Sequence, residues 1–365
     1  MSMRSVLTRA ARRGARMQIK HLSPVSPSAA DPLVATVYAQ VEEDFGMLAP
    51  PVSLHAPVPE LLAASWVMLR ETLVAAGRAD RTAKEVVAAA VSLGNSCPYC
   101  VDVHSSTLYG LTRADDATAV ADGRLGEVGD ARLHAIADWA RTAGRSAAVP
   151  PPFPAEQAPE LAGVAVVFHY LNRIVNVFLT ASPFPDQVPA GVRPGLRRLA
   201  GRMVGPAARR FCDPGASLDL LPDAPLPGDL SWAAGTEHVA DGLARSAAAI
   251  ERAGDAAVPG SVRELTLAGL AAWDGEPPGL GRGWVDDAIA DLPEVERPAG
   301  RLALLTAMAS YQVDESVVDE FRRDRPDEAT LIGLTSWAAM AAAREVGSRL
   351  LPERDVTNTG ERTEP

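Results

Sequence analysis

The sequence predicts an all-α fold: a duplicated helical domain whose two copies pack against each other as a pseudo-dimer. Three observations lead there. Apolar residues recur at helical spacing along nearly the whole chain. Runs of alternating β-branched residues, which a sheet would require, are scarce. Three short segments of the first half also return in the same order in the second, displaced by roughly 170 to 180 residues.

The elements follow in order. Pro59-Glu60 opens a helix through Leu73, because proline suits a first turn whose N–H groups lack partners anyway. Arg81 to Leu93 predicts a second helix, and Pro98 starts a third. Arg132 to Thr142 and Glu160 to Leu179 give two more, separated by the Pro-rich loop Val149 to Pro154. Ser182 to Gly228 is punctuated by prolines and glycines, and carries the basic segment Arg193 to Arg210 and Cys212. It reads as a linker with one short helix packed across the domains. Beyond it, Lys84-Glu85-Val86 returns as Arg263-Glu264-Leu265, Arg132-Leu133 as Arg301-Leu302, and Leu161-Ala162-Gly163 as Leu331-Ile332-Gly333. The expected domains are 31–182 and 229–352, joined by the linker 183–228. A flexible basic extension over 1–30 and a polar tail over 353–365 flank them.

A length of 365 residues suits two such domains. The net charge of −11 argues against nucleic acid as a partner. No run of about 18 apolar residues occurs, so no membrane-spanning segment and no membrane partner is expected. Three cysteines exclude a disulfide scaffold. Residues 1–30 carry Arg4, Arg9, Arg12, Arg13, Arg16 and Lys20 without one acid. That pattern suits a transit peptide or a polyanion-binding arm, but a plain extension is the simpler reading. It lacks the apolar stretch of a secretory signal, and the alanine-rich, lysine-poor composition suggests a GC-rich bacterial genome. A cytoplasmic location is therefore expected.

Two of the three cysteines carry the functional signal. Cys97 falls at the N-cap of the helix that Pro98 begins, and Cys100 lies in its first turn. Both sulfurs would sit near the positive end of the helix dipole, which favours thiolate over thiol. Cys97, Cys100 and His104 share one helix face. His104, one turn after Cys100, can take its proton, and Glu85 on the preceding helix can orient that imidazole if the two helices pack side by side. A nucleophilic cysteine, a base, an orienting carboxylate and a second cysteine are the parts of thiol redox catalysis. Two other readings use the same residues. Zinc could take Cys97, Cys100 and His104, with Glu85, His169 or Cys212 as the candidates for a fourth ligand. A thioredoxin-like site would need a strand before the motif, where a helix is predicted instead.

Glu85, Cys97-x-x-Cys100 and His104 in this spacing resemble the active-site signature of the alkylhydroperoxidase D and carboxymuconolactone decarboxylase family. The resemblance extends to Phe45-Gly46, Pro59-Glu60-Leu61-Leu62 and Asn172-Arg173, covering roughly residues 35 to 182. It implies an all-helical fold and, for members with the dithiol, reduction of hydroperoxides. Cys100 would be the peroxidatic thiolate, Cys97 the resolving partner, and His104 with Glu85 the proton relay. An external dithiol of lipoyl or thioredoxin-like type would restore the pair, no cofactor is implied, and a homo-oligomer is expected. One position departs from the pattern: Tyr99 stands where well-known peroxidases of this family carry histidine. The rival readings are a decarboxylase-type lyase using His104 and Glu85 as acid and base, and a non-catalytic helical or zinc-binding module.

On the helix after the Pro-rich loop, His169, Asn172 and Asn176 form a polar stripe at helical spacing. Together with Tyr99 and His134 they are the candidate substrate pocket. At the matching places of the second copy stand Ala339, Ala342 and Val346, with Ala303 for His134. The dithiol positions fall on Glu276, Gly279 and Gly283, and no cysteine follows Cys212. Gly279-Leu280-Gly281 lacks the strand and helix a nucleotide loop needs. Only the first copy can carry dithiol chemistry.

Overall fold

The computed structural model describes residues 12–145, 149–185 and 188–351. Its main helices are α1 (Pro32–Asp44), α2 (Pro59–Leu69), α3 (Arg81–Gly94), α4 (Pro98–Leu111), α5 (Ala114–Ala121), α6 (Ala131–Arg141) and α7 (Ala158–Phe178) in the first copy. α8 (Arg193–Ala208) follows the first copy in sequence and packs on α4. α9 (Glu237–Ala257), α10 (Gly260–Ala272), α11 (Arg297–Ala309), α12 (Glu315–Arg322) and α13 (Glu328–Leu350) form the second copy. Among the described residues there is no strand, only an isolated antiparallel bridge between Ile19 and Leu179.

Local chemistry sets the helix starts. Asp31, Asp80 and Asp130 cap α1, α3 and α6, each accepting backbone N–H bonds of the first turn. Proline occupies the first turn of α1, α2, α4 and α7. α2 runs on into a π-helical turn, Arg70–Val74. α7 is long and apolar enough to cross a bilayer by length and composition, but nearly all of it is buried inside the protein. It is the core helix of the first copy.

The duplication is visible in how like packs on like. α7 lies against its counterpart α13, and α2 lies against α9, its equivalent in the second copy. Small residues permit both approaches. A Cβ on Gly347 would stand 2.9 Å from Val166, and one on Gly242 would stand 3.1 Å from Glu71. Gly163 and Gly333, equivalent in the repeat, each abut the end of the preceding paired helix: a Cβ would meet Thr72 or Ala257 at 2.9 Å. Buried hydrogen bonds tie the copies, from Ser246 to the Ala64 carbonyl (3.0 Å) and between Tyr170 and Ser336 (3.1 Å). Where α4 would recur, the second copy has the turns around Gly275 and Gly279 and only a short helix, Gly283–Ala288.

Two expectations need correction. Residues 12–30 do not form a loose extension; residues 1–11 lie outside the described part. Lys20 donates to the Phe178 carbonyl (2.7 Å), Thr180 to the Gln18 carbonyl (3.1 Å), and Ser23 to Glu328 of the second copy (2.9 Å). Paired backbone groups and a carboxylate partner hold what charge alone suggested was free. The segment expected to be a linker likewise contains α8, 16 residues long and packed directly on α4. Glycines make the contact: Cβ atoms on Gly110 and Gly201 would fall 2.8 Å and 2.5 Å from backbone oxygens of the facing helix. Beside them Arg197 pairs with buried Asp102 at 2.6 Å. The one short helix expected in this segment is longer than its turn-like glycines suggest, and it packs chiefly on the first copy rather than across the domains. The tail 353–365 lies outside the described residues.

Candidate active site

α3 ends at Asn95, and the chain reverses through Ser96 at φ +52° into Cys97, the N-cap of α4. The Cys97 N–H donates to the Ser92 carbonyl (2.9 Å), so α3 and α4 are joined by a tight turn and pack side by side. That packing brings Glu85 of α3 to His104 of α4, with Oε2 2.6 Å from Nδ1. The other Glu85 oxygen accepts from Arg81 Nε and Nη2 at 2.8 and 2.7 Å. Burial opposes ionisation of Glu85, but the Arg81 charge and His104 outweigh it and hold its pKa below the usual carboxylate range. An ionised carboxylate is acceptor only, so His104 donates from Nδ1 and Nε2 takes no part in the pair. The edge of the imidazole meets Phe168 with centroids 4.5 Å apart.

All three cysteines are free thiols and buried. Burial and the adjacent Cys100 thiol push the Cys97 pKa up, against the Cys100 N–H and the Asn172 amide. The expectation that the helix dipole favours thiolate at both sulfurs therefore fails for Cys97, because desolvation of a sulfur 1% exposed outweighs it.

A largely apolar cavity of about 280 Å³ lies against this arrangement. Cys100, His104 and Tyr99 face it, while Cys97 sits behind Cys100 and takes no part in its wall. Tyr99 is fixed by donating to Gln18 Oε1 at 2.6 Å. Met203 and Val204 of α8 and Phe168 and Leu171 of α7 also line it.

The polar stripe on α7 is not part of that wall. Asn172 donates to Ser92 (3.0 Å) and accepts from Asn95 (3.0 Å), beside the Cys97 sulfur. Asn176 donates to Ser310 of the second copy at 3.0 Å. His169 Nδ1 lies 3.2 Å from both the Asn95 amide and an Arg173 N–H. Burial and the Arg173 charge push its pKa well down, so this imidazole stays neutral. The stripe faces the end of α3 and the second copy, whereas Phe168 and Leu171 look into the cavity. His134 is a plainer correction: it is partly exposed on α6, 3.0 Å from Asp138, because α6 buries Leu133, Ile136 and Ala137 instead.

Sequence reasoning missed Arg81, Gln18 and the α8 wall. Arg81 had a signal, standing four residues before Glu85 on one helix. Gln18 and Met203 had none, since both belong to segments read as loose. Cys212 is buried and lies outside the cavity wall. Among the described residues, no three His, Cys, Asp or Glu side chains converge as metal ligands.

Similarity to known proteins identifies the family. The model of the carboxymuconolactone decarboxylase family matches residues 60–142, a span that includes Glu85, Cys97, Cys100 and His104. A protein of Mycobacterium tuberculosis (strain ATCC 25618 / H37Rv) named alkyl hydroperoxide reductase is 36% identical over 330 residues, covering 90% of this chain and 94% of its own. A solved structure described as an alkylhydroperoxidase AhpD core, an uncharacterized peroxidase-related protein from Ralstonia eutropha JMP134, is 21% identical. It covers 48% of this chain and 95% of its own, with a TM-score of 0.40. The chain belongs to the alkylhydroperoxidase D and carboxymuconolactone decarboxylase family.

Proposed function

We propose that the protein reduces organic hydroperoxides through a dithiol–disulfide cycle at Cys100 and Cys97. The observation that carries this reading is the placement of Cys100 and His104 together on the apolar cavity wall, with Cys97 behind. His104, oriented by Glu85, takes the Cys100 proton. The thiolate attacks one peroxide oxygen, the O–O bond breaks, and the leaving alkoxide recovers a proton from His104 to depart as an alcohol. Cys100 is then a sulfenic acid. Cys97 gives up its proton and attacks that sulfur, forming the disulfide and releasing water. An external dithiol, oxidised in turn, returns both thiols. The high pKa of Cys97 suits the second role, since a protonated thiol does not compete for the peroxide.

The test is a single stoichiometric dose of cumene hydroperoxide, followed by thiol counting and mass spectrometry. Wild type should lose two thiols and form a Cys97–Cys100 disulfide. Cys97→Ser should stop at a sulfenic acid on Cys100, and Cys100→Ser should not react. Wild-type thiols that stay reduced would overturn the reading and leave Glu85 and His104 as the acid and base of a lyase.

A further inference from the structure

The mouth of the cavity is flanked by two arginine-rich segments far apart in sequence. Residues 12–20 contain Arg12, Arg13, Arg16 and Lys20, and residues 193–210 contain six arginines; neither stretch has an acid. Both reach the cavity, through Gln18 and through Met203 and Val204. α1 and the loop after it lie against both: Arg12 pairs with Glu42 at 2.5 Å, and a Cβ on Gly46 would stand 3.1 Å from Ala207 of α8. Among the described residues, Arg13, Arg16, Arg202 and Arg210 have no acidic partner. A chain of net charge −11 thus places unpaired arginines on two segments that reach one cavity, whose lining acid, Asp44, is itself paired with Arg70 at 2.7 Å.

The segments that reach the cavity also expose large apolar side chains. Met17 is 76% exposed, Met203 75%, Leu199 53% and Met47 39%, with Phe211 just beyond α8 at 75%. Leu199 and Met203 stand one turn apart on the outer face of α8, opposite Gly201 and Gly205, which are buried against α4. An outward apolar stripe edged by arginines is the pattern of a helix lying at a lipid–water interface. An apolar cavity opening through that rim gives a lipid-dissolved substrate a route to Cys100.

We propose, resting on the peroxidase reading above, that this rim docks on an anionic lipid surface and admits acyl hydroperoxides from it. Adsorption needs no spanning segment, so the lack of one predicted from the sequence does not oppose it. A two-fold pairing of this face with a second copy would set arginine against arginine. An acidic protein would match the charge but would not account for an apolar cavity opening between protruding methionines.

The test is co-sedimentation of the full chain with vesicles of phosphatidylcholine alone or with about one-third phosphatidylglycerol. Wild type should partition at least about tenfold more to the anionic vesicles and be released at about 0.5 M salt. The double variant Leu199→Gln/Arg202→Glu touches neither the dithiol nor the cavity wall. It should lose vesicle binding and about tenfold of its rate on phospholipid hydroperoxide in those vesicles, with unchanged turnover of soluble tert-butyl hydroperoxide. Equal weak binding to both vesicles, or binding retained by the variant, would overturn the proposal. Binding of polyglutamate without vesicle binding would assign the rim to an acidic protein, and a wild-type oligomer that the double variant dissociates would assign it to a second copy; either result overturns lipid docking. Failure of wild type on tert-butyl hydroperoxide would strike the peroxidase reading, while sedimentation would still decide the docking.

Discussion

The carboxylate of Glu85 holds the imidazole of His104 at 2.6 Å while Arg81 occupies its other oxygen at 2.7 Å. The arrangement fixes the tautomer and orientation of the base without a water molecule having to do so. Glu85→Gln keeps the shape but makes His104 a weaker, less oriented base. The rate of Cys100 oxidation by hydroperoxide should fall about a hundredfold with the Michaelis constant little changed. Stopped-flow measurement of the first turnover across pH checks this; an unaltered pH profile would remove Glu85 from the relay.

Asn172 acts on the other sulfur. Its amide favours the Cys97 thiolate against burial. Asn172→Ala should leave Cys100 oxidation intact and slow disulfide closure, so that a dimedone-reactive sulfenic acid accumulates. Destabilisation of about 1–3 kcal/mol is expected from the unpaired Ser92 and Asn95 groups.

His55 should give the fold a pH dependence of its own. It is wholly buried, 2.8 Å from the Tyr170 hydroxyl and 3.1 Å from the Val52 carbonyl. Desolvation lowers its pKa from 6.5 to about 4. The unfolded chain therefore binds a proton below pH 6.5 that the folded protein refuses until about pH 4. Stability is lost as pH falls across that window, by on the order of 3 kcal/mol. Urea denaturation at pH 7 and pH 4.5 measures it, and His55→Phe should flatten the difference. Glu85, whose folded pKa is also depressed, adds a loss at lower pH: its contribution is present above the ordinary carboxylate value and disappears below it.

Gly201 decides whether α8 can close the cavity. A methyl group there would fall 2.5 Å from the Ser106 carbonyl oxygen. Gly201→Ala should push α8 from α4, cost about 1–3 kcal/mol in urea denaturation, and weaken hydroperoxide binding more than it slows chemistry. Unchanged steady-state kinetics would show that α8 does not shape the site.

The second copy should be indispensable as packing. α7 and α2 bury faces on α13 and α9, and residues 30–182 alone would expose both. That fragment should aggregate or associate. A soluble, compact monomer by light scattering would contradict the role assigned to the silent copy.

Much of this was legible in one dimension. Proline at a first turn marked α2 and α4, and apolar spacing marked α3, α6 and α7, because both depend on neighbours along the chain; α1 and its Asp31 cap went unread. The spacing of Cys97, Cys100 and His104 placed them on one face of α4 for the same reason, and the repeat showed which half holds the cysteine pair. Helix membership did not reveal direction. His169, Asn172 and Asn176 shared a face as expected, yet that face turned to the end of α3 and left Phe168 and Leu171 on the cavity.

The sequence by itself determined most of the helices, the duplication and the sharing of one helix face by Cys97, Cys100 and His104, since these rest on periodicity and on residues close in the chain. Tertiary structure alone decided which sulfur meets the cavity, that Cys97 is held as a thiol by burial, and that residues 18 and 203 wall the same opening. Burial and long-range contact are properties of the packed whole. Gln18 lies 81 residues from the Tyr99 hydroxyl it accepts from, and no local pattern encodes that meeting.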